Sequence, residues 1–150
     1  MKRPVKPKVF QYKTRRKAAP PLRRPVRKDE PETFTGIVKG QPASDLEERL
    51  ARALMARKIE FLFQVPVYTA YSVPGQENIV DFVVYYDIPQ PLEVDGEYAH
   101  KSAGQKEKDR MRDALIDEAL QLMGFQLIKR IAGDKLLTQQ MALDLVDDLF

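Results

Sequence analysis

Ile79-Val80-Asp81-Phe82-Val83-Val84-Tyr85-Tyr86 is an apolar run of eight residues with an aspartate third in line. Its β-branched and aromatic content predicts a buried strand. An ionised carboxylate inside such a strand costs on the order of several kcal/mol unless it is paired or bound to a metal. A second short run, Leu92-Glu93-Val94-Asp95, adds two more acids. Alternate residues of a strand share a face, so Glu93 and Asp95 point the same way. Three carboxylates on neighbouring strands predict a cation site, and hard oxygen donors select Mg2+ or Mn2+. Phosphodiester hydrolysis is the chemistry that such a site suits.

The rest of the chain divides by charge. Residues 1–42 hold 13 of the 25 Lys and Arg but only three acids, Asp29, Glu30 and Glu32, together with seven of the 11 prolines. This stretch lacks apolar periodicity, and its like charges repel, which predicts an extended, flexible basic arm. The remaining 12 basic and 19 acidic residues give residues 43–150 a net negative charge. A basic arm on an acidic domain suits a polyanionic partner. Lys13, Arg15, Arg16, Lys17, Arg23, Arg24, Arg27 and Lys28 are its expected phosphate contacts, with Phe10 and Tyr12 able to stack on bases. A solubilising or partner-docking tail is the plainer reading. The absence of cysteine fits a reducing cytoplasm, and neither a membrane span nor a secretory signal is visible.

From Ser44 the pattern becomes globular. Ser44-Asp45-Leu46-Glu47 is a capping box that opens a helix to about Arg57. Strands are expected at Ile59–Val65, continuing after Pro66, at Ile79–Tyr86 and at Leu92–Asp95. A long helix runs from Ala103 to Met123, with Met111, Leu115, Ala119 and Leu122 on one face and Gly124 as its C-terminal cap. A strand at Phe125–Ile131, a Gly133-Asp134 turn and a helix at Leu136–Leu149 complete the order α-β-β-β-α-β-α. That order predicts an α/β fold with a mixed central sheet flanked by helices.

Glu47, Val80-Asp81-Phe82 and Glu93-Val94-Asp95-Gly96-Glu97-Tyr98-Ala99-His100 resemble the restriction-endonuclease-like, or PD-(D/E)XK, nuclease superfamily. Within it they are most similar to the branch of very-short-patch-repair endonucleases, over residues 44–137. The resemblance implies a restriction-endonuclease-like core and a Mg2+- or Mn2+-dependent endonuclease acting on DNA in repair, recombination, mobile-element or phage DNA processing. It implies Asp81, Glu93 and Asp95 as metal ligands, Glu47 as an assisting acid and His100 as the group that moves protons. Lys101 and Lys106, near the start of the long helix, then suit phosphate, as helix N-termini do. The E-x-K lysine of the superfamily is replaced by Asp95, and the structural zinc cysteines of the repair enzymes are absent.

Each residue also has a structural reading. Glu47 can serve as a helix cap alone, Asp95 as a turn residue before Gly96, His100 as a surface histidine, and Lys106, Lys108, Arg110 and Arg112 as a solvated face laced with ion pairs. An inactive nuclease-like protein of a larger nucleoprotein assembly, a phage particle or an RNA-containing complex, is the second reading of function. DNA is the expected partner, RNA the alternative. No membrane association is expected, and a homodimer or a larger complex is compatible with the pattern.

Overall fold

The computed structural model describes residues 33–69, 77–96 and 102–150. Their elements run β1 (Ile37–Val38), β2 (Gln41–Pro42), α1 (Asp45–Ala56), β3 (Glu60–Val67), β4 (Asn78–Tyr85), β5 (Gln90–Asp95), α2 (Ala103–Gln121), β6 (Lys129–Ala132), a 3-10 turn (Gly133–Leu136) and α3 (Gln139–Leu149). The order expected from periodicity is present, preceded by a two-residue hairpin. That hairpin turns through Lys39 at φ 47° and Gly40 at φ 78°. A lysine in the left-handed region is uncommon, and the Asn-Gly or Asp-Gly pair that usually announces such a turn is missing. The packed body therefore begins before residue 43: Val38 is buried in the core, and the backbone N–H groups of Thr35 and Gly36 donate to Glu48.

The sheet has the strand order β3-β4-β5-β6. The first three strands are antiparallel neighbours, and β6 lies parallel to β5. A parallel pair needs a crossover, and α2 supplies it. Mixed pairing with helices on both faces is the α/β architecture expected. On one face, Leu50, Leu54, Ala142 and Val146 of α1 and α3 pack on Phe61, Phe63, Phe82, Leu92 and Ile131. On the other, Ile116 and Leu120 of α2 pack on Val65, Val67, Val80 and Val83. Burying a side chain such as Leu50 or Phe82 stabilises the fold by about 1.5–3 kcal/mol.

Four local departures have physical causes. β3 runs unbroken through Pro66 because it is an edge strand, where a missing N–H need not face a partner. The strand expected from Phe125 starts only at Lys129. Phe125 seals the end of α2, and residues 126–127 are held by Gln126 N–H donating to Pro89 O and Gln90 Nε2 donating to Leu127 O. α3 starts at Gln139, capped by Thr138, because the preceding 3-10 turn buries Leu136. The buried stripe of α2 is not the expected one either. Met111 is 63% and Leu122 87% exposed, while Ile116 and Leu120 are fully buried. One turn towards the N-terminus the buried stripe carries Arg112, which pairs with Glu93 of β5, and Asp113, which pairs with Arg130 of β6. Gly124, at φ 79°, closes the helix as expected. Among the described residues no helix is long and apolar enough to cross a membrane.

Candidate active site

β4 and β5 stay paired from Val84 opposite Gln90 to Phe82 opposite Leu92, and there the ladder ends. Two residues further along β5, Val94 N–H donates to Asp81 Oδ2 at 2.8 Å instead of to a backbone carbonyl of β4. The carboxylate thus holds the two strands where they part. The side-chain alternation also breaks at this point. Phe63 and Phe82 face the α1/α3 core, whereas Val65 and Val80 face the α2 core. Between them Gln64 takes φ 54°, a bulge-like distortion opposite Asp81. The kink lets Asp81 reach β5 in the plane of the sheet.

Glu93 lies on the α2 side of β5 and is buried, as is Asp95. The side chains of Asp81 and Glu93 lie close enough to act on one another directly. Burial, then the charge of Glu93, pushes the Asp81 carboxyl up to about 7, against the opposing pull of Val94 N–H and Arg112. Glu47 approaches from α1. It completes the capping box, with Ser44 N–H donating to its Oε2 at 2.7 Å and its own N–H donating to Ser44 Oγ at 3.3 Å. Asp81 is its carboxylate neighbour, and burial followed by the Asp81 charge raises its pKa against the Ser44 bonds. The capping and site readings of Glu47 therefore coexist.

Glycines bring α1 this close. A Cβ on Gly133 would stand 2.9 Å from Gly96 Cα and 2.9 Å from Leu46 Cδ1, and one on Gly96 would stand 3.3 Å from Leu46 Cδ1. Leu46 seats the first turn of α1 on the ends of β5 and β6, which fixes Glu47 one residue later.

Two arginines line the carboxylates. Arg112 Nη1 donates to Glu93 Oε1 at 3.0 Å, and its Nη2 donates to Ile79 O at 2.6 Å. Arg130 grips Asp113 with two bonds, Nε to Oδ2 at 2.7 Å and Nη2 to Oδ1 at 2.9 Å, and places Nη1 3.4 Å from Asp95 Oδ2. Sequence reasoning assigned Arg112 and Asp113 only to a solvated, ion-paired helix face and missed Arg130. The cue for Arg112 lay in helical spacing, since 112 and 116 share a face with 120; nothing in the pattern marks Arg130. Glu48, fully buried, was also missed. It accepts from Thr35 N–H, Thr35 Oγ1, Gly36 N–H and Arg52, and these donors overcome its burial and hold its pKa low.

The structure thus brings together Glu47, Asp81 and Glu93, and couples Asp95 to Arg130. Among the described residues, no group of three or more carboxylate or histidine side chains is arranged as a ready-made set of metal ligands. The donor chemistry nonetheless suits a hard divalent cation. The five carboxylates Glu47, Asp81, Glu93, Asp95 and Asp113 outnumber the two guanidiniums. Asp81 and Glu93 would hold the ion, with Glu47 beside them. Lys106 lies in the first turns of α2, half-buried, its N–H donating to Ser102 O. His100, Lys101, Tyr98 and the basic arm, Lys13, Arg15, Arg16, Lys17, Arg23, Arg24, Arg27 and Lys28, lie outside the described residues. Tyr86 packs edge-on against Phe150. Compared with known proteins, the chain matches no family model, no curated protein and no solved structure.

Proposed function

We propose that this protein is a divalent-cation-dependent endonuclease of the restriction-endonuclease-like type, hydrolysing phosphodiester bonds of DNA. The observation that carries the reading is Asp81. It sits where two strands part, accepting from Val94 N–H, with the carboxylates of Glu93 and Glu47 beside it opposing its ionisation. The element order around the sheet supports the same reading.

In this mechanism Asp81 and Glu93 bind Mg2+ or Mn2+, and Glu47, fixed by its cap, adds negative charge at the edge of the site. When bound, the cation supplies Lewis acidity and stabilises charge that develops on the phosphate. Arg112, anchored on Ile79 O, sets a positive group at the rim for the phosphodiester. Asp113 holds Arg130 in place, and Asp95 faces it, so Asp95 positions a guanidinium where the superfamily's lysine would stand. His100 moves protons, its ordinary pKa lying near neutrality. The basic arm recruits DNA by counterion release.

The test is nicking of supercoiled, linear and mismatched DNA with Mg2+ or Mn2+. Cleavage by the wild type and its loss by a factor of at least about 100 in Asp81→Ala are expected. Undiminished cleavage by Asp81→Ala would remove the site. Coupling of Asp95 to Arg130 favours a second reading, an inactive nuclease-like protein of a nucleoprotein assembly; DNA binding without cleavage and without cation binding would select it.

A further inference from the structure

The two arginines beside the carboxylates are held in different ways. Arg130 is committed, because its Nε and Nη2 both donate to Asp113. Arg112 is divided. Its Nη1 is shared between Glu93 Oε1 at 3.0 Å and Asp113 Oδ1 at 3.4 Å, while Nη2 is tied to Ile79 O. Its side chain is 31% exposed against 10% for that of Glu93, so the guanidinium lies between a buried carboxylate and solvent.

We infer that Arg112 is an exchangeable counter-ion, which neutralises Glu93 until a divalent cation takes that carboxylate and then passes to the phosphodiester of the substrate. The inference rests on the cation reading of Asp81 and Glu93. A divalent ion on Glu93 removes the attraction that holds Nη1 and adds repulsion between like charges. The bond to Ile79 O is to a backbone carbonyl and is unaffected, so Arg112 pivots on it rather than leaving. Asp113 lies next to it and already shares Nη1, which gives the pivot a second resting point. A guanidinium freed at the rim of a site matches a phosphodiester in both charge and geometry. The exchange also answers a deficit on β5. Asp95 stands where the superfamily carries a lysine and Arg130 is committed to Asp113, so a guanidinium free to meet the phosphate must come from α2.

The full-length chain is the material for the test, as wild type, Arg112→Gln and Arg112→Lys, each checked by thermal melting. Calorimetry at moderate salt, which screens the basic arm, gives the affinity for Mn2+ alone and then, with Mn2+ present, for the dinucleotide thymidylyl-3′,5′-thymidine. Arg112→Gln should bind Mn2+ about three- to tenfold more tightly and the dinucleotide about tenfold more weakly. Arg112→Lys keeps the charge but not the fork, so it should match the wild type for Mn2+ and lie between the two for the dinucleotide. A residue that merely braces α2 against β4 would weaken both ligands together when replaced. Weaker Mn2+ binding by Arg112→Gln, or an unchanged dinucleotide affinity, overturns the exchange while leaving the cation site standing. Failure of both the wild type and Arg112→Gln to bind Mn2+ overturns the cation reading itself and the exchange with it.

Discussion

Asp81→Asn should make the protein more stable at neutral pH, and the gain should vanish in acid. In the folded chain the Asp81 carboxyl is pushed from 3.8 up to about 7. The sign follows from that direction. Below the unfolded value both states are protonated and the stability is fully present. Between 3.8 and about 7 the unfolded chain releases the proton first, so stability falls as pH rises. Above about 7 the loss is complete. A rise of about three pKa units corresponds to about 4 kcal/mol as a ceiling, and screening at a partly exposed carboxyl lowers this to about 2 kcal/mol. Asparagine cannot ionise, yet its Oδ1 still accepts Val94 N–H. The variant should therefore equal the wild type near pH 4 and exceed it by about 2 kcal/mol at pH 8.

Urea melts of both proteins in EDTA at four pH values between 4 and 8 measure this directly. The difference between the two proteins cancels the titration of groups they share. Saturating Mg2+ should close the gap, since a ligand at about 100 times its Kd stabilises the wild type by about 2.7 kcal/mol and the variant far less. A variant less stable than the wild type at pH 8, or a gap that does not change with pH, refutes the claim that burial and Glu93 oppose ionisation of Asp81.

Glu48→Gln should cost about 3 kcal/mol, because Arg52 and the two backbone donors lose a buried anion, and its urea midpoint should fall accordingly. The pKa of Glu48 is lowered, so its contribution is present above the ordinary carboxylate range and is lost as pH falls; the gap between variant and wild type should shrink in acid. Gly133→Ala should destabilise by about 1–3 kcal/mol, seen as a lower melting temperature, because the added methyl meets the backbone of Gly96. Adding Leu46→Ala should not rescue it, since the methyl would still stand 2.9 Å from the Gly96 backbone.

Most elements were legible because their signals are local. Ser44 and Glu47 cap α1 as their spacing predicts, and Gly124 stops α2. Asp81 and Glu93 were legible as anomalies, because acids inside apolar strands violate the burial rule whichever partners they find. The arginines were not. Arg112 and Asp113 look like solvated helix residues in sequence, and only the rotation of α2 by one position turns them towards β5. Ile116 and Leu120 set that rotation, whereas Met111 and Leu122 mimic the same periodicity on an exposed face. Arg130 was hidden in a strand whose pairing with β5 is parallel and distant in sequence. Lys39 made the first hairpin invisible by taking a conformation that glycine usually signals. Glu48 sits beside Glu47 with nothing in the pattern to distinguish them, yet helical rotation sends one to a hairpin and the other to the carboxylates.

Glu48 and Asp81 supply an internal comparison that bears on function. Both are largely buried carboxylates attached to the same sheet-and-helix body. Around Glu48 the chain has gathered backbone N–H groups, a hydroxyl and a guanidinium, and ionisation is favoured. That is how a carboxylate is treated when its task is to hold structure. Around Asp81 the described residues gather one backbone N–H, the more distant charge of Arg112 and two further carboxylates, and ionisation is opposed. Continuing the β4–β5 ladder past Phe82 and Leu92 would have spared both the kink and the charge. A fold that can satisfy Glu48 so fully has the means to satisfy Asp81, yet among the described residues that carboxyl has few donors. In the proposed function a divalent cation would supply what these residues do not, which is why the acid cluster, rather than the fold, carries the proposed activity.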